Sequence, residues 1–595
     1  MAQASLIGWA LLAGLIGFAI GVCALARRWS RGQPAPLHWA GVLDAPRRYL
    51  VNVHHKVVRR RGVGGYHIAA ALGFIILTGL VLTILVSDWR SEVLRLAGVS
   101  AAATSLAGVA LLAGRRWRHW GFARHKAIQL GGLALIVVAL GVLVLVATPA
   151  FAAVDAPIWV AAIATLLLFP LLPIGPLRHA LAGYINLSVH ARPERFASPV
   201  PRSAPKPLDL DAARLGVETR RDFGWNQLVQ FDACVECRRC EEVCPANAAG
   251  TALNPMFLVN ALRRADDDAA LLEAAVDPDA IWACTTCNAC VEVCPMFIEH
   301  VDAIVDLRRF ATLEQGRTPG AAAMLENLAS FDQAEARPLE TRLDWAADLA
   351  LRRLAPGEYA PLLLWVGDAG FLPEGRRTQR ALIALLARAG TTVAVLPDEA
   401  DLGDIALRLG DEARFRALAQ ANAARLDAVS FDHIVTIDPH VVQALAGDYR
   451  AIGRHWPVVH HSQLLDALVA EGRLKSATGA SSDVTYHDPC YLGRHGGEYD
   501  APRRLVVATG APLREMARSR ETSFCCGYGG GATITDVPGK VRIPDLRIAQ
   551  ARATGATTIA TACPNCAVML AGSAGTDMQV RDIAELLLLA QDAAQ

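Results

Sequence analysis

Thirteen of the fourteen cysteines follow residue 230 and fall into three tight groups. In a reducing cytosol such groups favour metal ligation over disulfides. Two groups share one register. Cys234, Cys237, Cys240 and Cys244 precede Pro245, and Cys284, Cys287, Cys290 and Cys294 precede Pro295. In C-x2-C-x2-C-x3-C-P, three close thiolates wrap one corner of an iron–sulfur cube, while the fourth is carried away on a helix to the other cube. The pattern assigns Cys234, Cys237, Cys240 and Cys294 to one [4Fe-4S] cluster, and Cys284, Cys287, Cys290 and Cys244 to a second. Zinc knuckles are the competing reading, against which the duplicated eight-cysteine register speaks. The third group is Cys490, Cys525-Cys526-Gly527 and Cys563-Pro-Asn-Cys566, with intervals of 34 and 36 residues. Five thiolates on three loop tips suit one further iron–sulfur cluster, with zinc or a bare thiol site as alternatives. Gly527, Gly529, Gly530 and Gly531 would let the backbone pass close to a bulky cofactor.

The elements that position these groups begin with a membrane segment. Hydrophobic residues make up 53% and charged residues 19%, which is apolar for a soluble chain. The excess lies before residue 180. Apolar runs at 6–26, 68–86, 96–114 and 128–147 each match a bilayer core, and a fifth at 158–177 is interrupted by Pro170, Pro173 and Pro176. The first run has no basic residue before it and Arg27-Arg28 after it, as in an anchor rather than a cleaved signal. Lys and Arg number nine over 27–61, five over 115–126 and five over 178–206. By the positive-inside rule this predicts five helices in a bacterial inner membrane, N-terminus outside and cysteines in the cytoplasm.

His54, His55, His67, His119, His125, His179 and His190 all fall on the cytoplasmic side of that topology. They read as interfacial groups or as the lining of a quinone pocket near His55, Tyr66, His67 and His125. The alternative is one b-type haem held by His67 and His125. No His or Met lies in the outer half of any predicted helix, so no haem ladder crosses the bilayer. Net charge is +1, which gives no general affinity for nucleic acid.

The sequence thus divides into a helical membrane anchor (1–195), a linker (196–225) containing the Pro-rich stretch 198–208, and a two-cluster helical domain (226–315). A helical connector (316–355) and an α/β domain (356–595) follow. Helices are expected over 254–264 and 269–275. From residue 361 short apolar strands alternate with helices, as in LLLWV, 376–389 and TTVAVL. This last domain reads as a duplicated unit, intact over 480–595. In its first half Trp365–Asp368, Asp401-Leu402-Gly403 and Asp438-Pro439-His440-Val441 take the places of the cysteine motifs. Carboxylates do not replace thiolates around an iron–sulfur cube, so that half should be structural. No G-x-G-x-x-G fingerprint is present at a strand–helix junction, which places flavin or NAD on a partner.

The α/β domain resembles the cysteine-rich CCG domain of heterodisulfide reductases and related iron–sulfur oxidoreductases, and 226–315 resembles the α-helical ferredoxin module of respiratory enzymes. PRRYLVNVHHKVVRR (46–60), ACTTCNACVEVCPMFIEHVDAIVDLRR (283–309), LDWAADL (343–349), HDPCYLGR (487–494) and CCGYGGGATITDVPGK (525–540) extend the likeness along nearly the whole chain. Together they resemble the membrane iron–sulfur protein family of the dimethylglycine demethylation system, and more distantly membrane iron–sulfur dehydrogenases that oxidise electron-transfer flavoprotein. The resemblance implies a membrane iron–sulfur oxidoreductase. Its donor would be a soluble flavoprotein of methylated-amine catabolism or electron-transfer flavoprotein, and its acceptor membrane quinone. A thiol/disulfide reductase working at the CCG cysteines and a membrane redox sensor are the competing functions.

Overall fold

The computed structural model describes residues 2–58, 63–87, 91–120, 131, 133–138, 140–142, 175, 178–196, 205–477 and 483–593. It divides into two units. The first is Met1–Pro193 with Phe223–Val235 and Pro295–Ile298; the second is Glu194–Asp222, Glu236–Cys294 and Glu299–Gln595.

The first unit is built on the helices Ala2–Trp29, Val63–Ser87 and Glu92–Trp120. Within them Leu12–Trp29 and Glu92–Arg115 are long and apolar enough to cross a bilayer, and Gly64–Leu80 is a shorter apolar stretch. The expected runs at 128–147 and 158–177 lie largely outside the described residues. Helices Val63–Ser87 and Glu92–Trp120 pack through small residues. A Cβ on Gly73 would stand 2.6 Å from the Ala101 carbonyl oxygen, and Ser105 Oγ donates to the Ala70 carbonyl at 2.8 Å. Close backbone approach of this kind is how helices associate where lipid removes the hydrophobic drive between them. Leu72, Ile75, Ile76, Leu96, Val99 and Leu111 point outward and are exposed, a surface that suits acyl chains.

The same unit holds the segments flanking the cysteine runs. Trp29 Nε1 donates to Asp232 Oδ2 at 2.8 Å, and Asn186 Nδ2 to the Met296 carbonyl at 2.8 Å. His190 Nε2 lies 2.8 Å from the Phe297 carbonyl. His190, read from sequence as an interfacial histidine, therefore fastens the chain just after Pro295.

In the second unit, Pro255–Arg264 is a helix because Asn254 caps it, its Oδ1 accepting from the Met256 and Phe257 amides at 3.0 and 3.2 Å, and Pro255 opens it. The helix expected over 269–275 does not form. That stretch pairs instead, Ala270 bridging Thr219 and Leu272 bridging Val276. Seven residues are too few for a self-sustaining helix, and burying Leu271 decides the outcome. The last part of the expected linker is also tied down: Arg309 Nη2 donates to the Lys206 carbonyl at 2.6 Å, and the Val217 amide to the Asp306 carbonyl at 3.0 Å.

The α/β part contains two parallel sheets. Strands β1 (Arg352–Arg353), β2 (Tyr359–Leu364), β3 (Ala394–Val395), β4 (Ser430–Thr436) and β5 (Val458–His460) form the first, in the order β1-β3-β2-β4-β5. Strands β6 (Val484–Tyr486), β7 (Thr558–Thr561) and β8 (Gln579–Asp582) form the second, in sequence order. Each half repeats one plan. β4 runs into the helix Pro439–Ala446, then β5 and the helix His461–Ala470; β7 runs into Pro564–Ala574, then β8 and Ile583–Ala593. Leu364, Leu382, Val435 and Leu465 of the first half share one buried core with Leu505, Ala560 and Leu587 of the second.

Candidate iron–sulfur centres

The two cysteine runs fold alike. Glu236 and Arg238 in the first, and Thr286 and Asn288 in the second, adopt positive φ (50°, 61°, 48° and 59°). Non-glycine residues rarely do so, and here the left-handed positions occupy the same two places in each loop. In the second loop the thiols of Cys284, Cys287 and Cys290 come close enough to act on one another. The short helices Arg239–Val243 and Ala289–Val293 follow, and Cys244 and Cys294 end them with nearly equal backbone angles (φ −69° and −70°). Cys234 belongs to the first unit and the other seven to the second.

Within the second unit, Cys244 stands with the second loop. Burial, then the neighbouring Cys287 and Cys284 thiols, raise its pKa. Burial and the thiols of Cys244, Cys284 and Cys287 push Cys290 well up, and burial holds Cys284 at about 11. Isolated in protein these thiols resist ionisation; a bound metal centre is what makes thiolates of such groups. Soft, buried sulfurs on one point fit an iron–sulfur cube.

All five cysteines of the third group are buried. Cys526 Sγ and Cys566 Sγ are 3.3 Å apart, and together with a ring nitrogen of His487 they lie within 4.8 Å of one another. Cys563 is within hydrogen-bonding reach of Cys566. Cys525 packs in one buried cluster with Cys287 and Cys490. The adjacent pair Cys525-Cys526 therefore carries one sulfur toward the second ferredoxin-type loop and one toward the Cys563/Cys566 turn. The glycines after it admit neighbouring backbone. A Cβ on Gly529 would stand 2.5 Å from the Thr285 carbonyl oxygen, so the glycines let the backbone of the second cysteine loop come close.

Residues that the sequence did not single out hold this junction. Arg494 Nε donates to the Cys287 carbonyl at 2.6 Å and its Nη1 to the Ser523 carbonyl at 2.7 Å. Arg308 is fully buried and donates to the carbonyls of Ile281, Cys284, Arg408 and Gly530 at 2.6–2.9 Å; burial lowers it to about 10. Two buried cations beside sulfur-rich loops would offset the negative charge of thiolate-bound clusters. Tyr491 stacks between His440 (centroids 3.7 Å apart) and His495 (4.2 Å). These contacts join residues far apart in sequence, and no local pattern announces them.

In the first half, carboxylates occupy the cysteine places and accept backbone amides. Asp401 Oδ1 accepts the Gly403 amide at 2.7 Å, as Cys525 Sγ accepts the Gly527 amide at 3.4 Å. Asp438 Oδ1 caps its helix through the His440 amide at 2.8 Å, whereas Cys563 stands at the equivalent cap with no side-chain bond. Asp438 Oδ2 also accepts from Asn565 Nδ2 at 3.1 Å. Burial and then Asp368 hold Asp401 well above the usual carboxylate range.

In the first unit, His55 is exposed and Tyr66 and His67 are half-buried. The ring that meets His67 is that of His54, with centroids 6.5 Å apart; His54 Nδ1 lies 3.0 Å from the Tyr49 carbonyl. His125 lies outside the described residues.

Comparison with known proteins places this geometry. Residues 233–298 match a 4Fe-4S dicluster domain, 484–571 a cysteine-rich domain, and 4–213 a domain of unknown function. The chain is 42% identical to a protein of Chromohalobacter salexigens named as a probable membrane-anchored ferredoxin, over 96% of this chain and 94% of that one. The chain belongs to that protein's family. It is also 33% identical to the EtfAB:quinone oxidoreductase of Syntrophomonas wolfei, over 64% of this chain and 61% of the relative. It is 28% identical to one subunit of the dihydromethanophenazine:CoB–CoM heterodisulfide reductase of Methanosarcina barkeri, over 61% of this chain and 94% of the relative. The chain is thus an iron–sulfur protein of the electron-transfer oxidoreductase type, related to these two enzymes.

Proposed function

We propose that this protein relays electrons from a soluble flavoprotein to membrane quinone. The observation that carries the proposal is the packing of Cys287 in one buried cluster with Cys490 and Cys525, which would put a cube of the dicluster domain and the CCG centre in direct sequence. In this reading the eight ferredoxin-type cysteines hold two [4Fe-4S] cubes in the ligand sets given above, and Cys490, Cys525, Cys526, Cys563 and Cys566 hold a third cluster. The clusters supply one-electron chemistry, and the chain's own residues set distance and local charge. Buried Arg308 and Arg494 favour the reduced states.

The donor is a flavoprotein of methylated-amine catabolism or electron-transfer flavoprotein, consistent with the relative that is named for EtfAB and quinone. The anchor is read as five helices with the N-terminus outside. The small-residue hairpin of Val63–Ser87 and Glu92–Trp120 and the loop charges support that reading. Quinone would react at the cytoplasmic surface near Tyr66 and His67 and take its protons from that side. A disulfide reductase is the weaker reading, because Asp401 and Asp438 have their oxygens engaged where a duplicated centre would need sulfurs.

The test is anaerobic mixing of the purified full-length protein with reduced electron-transfer flavoprotein and a short-chain quinone. Flavin oxidation coupled to quinol formation is expected. Cluster reduction without quinol, or quinol formation unaffected by removing the clusters, contradicts the proposal.

A further inference from the structure

His487 follows β6 and is fully buried, its amide donating to the Ala560 carbonyl at 2.9 Å. Arg547 Nε donates to His487 Nδ1 at 3.0 Å. A guanidinium has N–H donors and no acceptor, so Nδ1 must present its lone pair. A neutral imidazole carries one N–H, and here that proton must sit on Nε2. Arg547 is itself fixed, with Nη1 donating to the Arg518 carbonyl at 2.9 Å and to Gln550 Oε1 at 2.8 Å, so the tautomer is locked. Nε2 is buried without a hydrogen-bond partner, and a ring nitrogen of His487 lies within 4.8 Å of Cys526 Sγ and Cys566 Sγ. A buried N–H left unpaired is costly, and Cys526 Sγ and Cys566 Sγ, beside the ring, are acceptors suited to it.

We infer that His487 is a positioning residue that donates Nε2–H to the sulfurs of the third cluster and raises that cluster's reduction potential. With its proton locked on Nε2, the ring has no lone pair there for iron, so it acts as donor and not as ligand. A hydrogen bond to sulfur stabilises the more negative, reduced cluster. The electron enters the cluster and the proton stays on nitrogen. This inference rests on the third-cluster reading above.

The test is an EPR-monitored redox titration of the full-length protein and two variants. His487→Met, which lacks the donor, should lower the third-cluster potential by at least the ~59 mV that corresponds to a tenfold shift in a one-electron equilibrium, with the other clusters unmoved. His487→Gln, which keeps an N–H at similar reach, should restore most of it. Unchanged potentials, or Gln falling as far as Met, overturn the inference. In wild-type protein labelled with 15N-histidine, a weak nitrogen coupling to the third-cluster signal is expected. A coupling large enough for a direct iron–nitrogen bond, or none, overturns it without recourse to variants. Absence of third-cluster iron overturns both this inference and the reading beneath it, whereas a cluster with an unmoved potential overturns this one alone.

Discussion

The two halves of the C-terminal domain use one backbone for opposite ends. Gly403 and Gly527 both take positive φ (74° and 100°), and each donates its amide to the side chain two residues before it. Asp438-Pro439 and Cys563-Pro564 both open a helix after a buried strand. In the first half the acceptor is a carboxylate that takes a backbone amide. In the second it is a sulfur left facing other sulfurs. A duplicated fold can therefore retire one metal site while keeping its shape, because Asp serves as helix cap and turn acceptor better than the thiol it replaces. The difference between the halves lies in which atoms remain unspent.

Three experiments sharpen or break this comparison. The largest effect concerns what joins the halves. His461 Nε2 and Asp582 Oδ1 are 2.9 Å apart and fully buried, one from each half. Asp582→Ala leaves the ring facing nothing and should cost roughly 3 kcal/mol, read by urea unfolding. Because the core is shared, the domain should still unfold in one transition; separate transitions for the halves would break the picture of one duplicated body.

Next come the glycines. Alanine at Gly403 would strain a left-handed turn and press on Phe415 Cα at 3.0 Å, costing about 1–2 kcal/mol with iron content unchanged. Gly527→Ala should cost a similar amount and also lower iron, since it displaces Cys525 and Cys526. Equal iron loss in both would erase the distinction.

The smallest effect is a pH dependence. Glu399 accepts the Val366 and Gly367 amides at 3.0 and 2.7 Å, and burial raises it from 4.5 to about 7 against the pull of Arg342. With its folded value raised, its contribution is complete below about 4.5 and is lost as pH rises through about 7. Between pH 6 and 8 that loss is about 1 kcal/mol, and Glu399→Gln should flatten it. A wild-type stability rising over that interval by this term would contradict the assignment.

Spacing alone made the two ferredoxin-type cysteine runs legible, because they are a local pattern with a fixed motif. What escaped is long-range. His487, Arg308, Arg494 and Arg547 act through bonds across the fold, though the short stretch His487-Asp488-Pro489-Cys490 offered a hint. The stretch 269–275 has apolar residues at helical spacing, and pairing with Thr219 overrode it. Between the adjacent His54 and His55, only the turn of the helix decides which ring meets His67.

The central claim is that the second half carries a cluster and the first does not. Its most direct measurement is iron per chain in three purified proteins. Wild type should hold about eight irons in two cubes plus about two to four more. Cys490→Ala with Cys563→Ala should fall to about eight, and Asp401→Asn with Asp438→Asn should match wild type. Iron unchanged in the cysteine variant, or lost in the aspartate variant, would contradict the account.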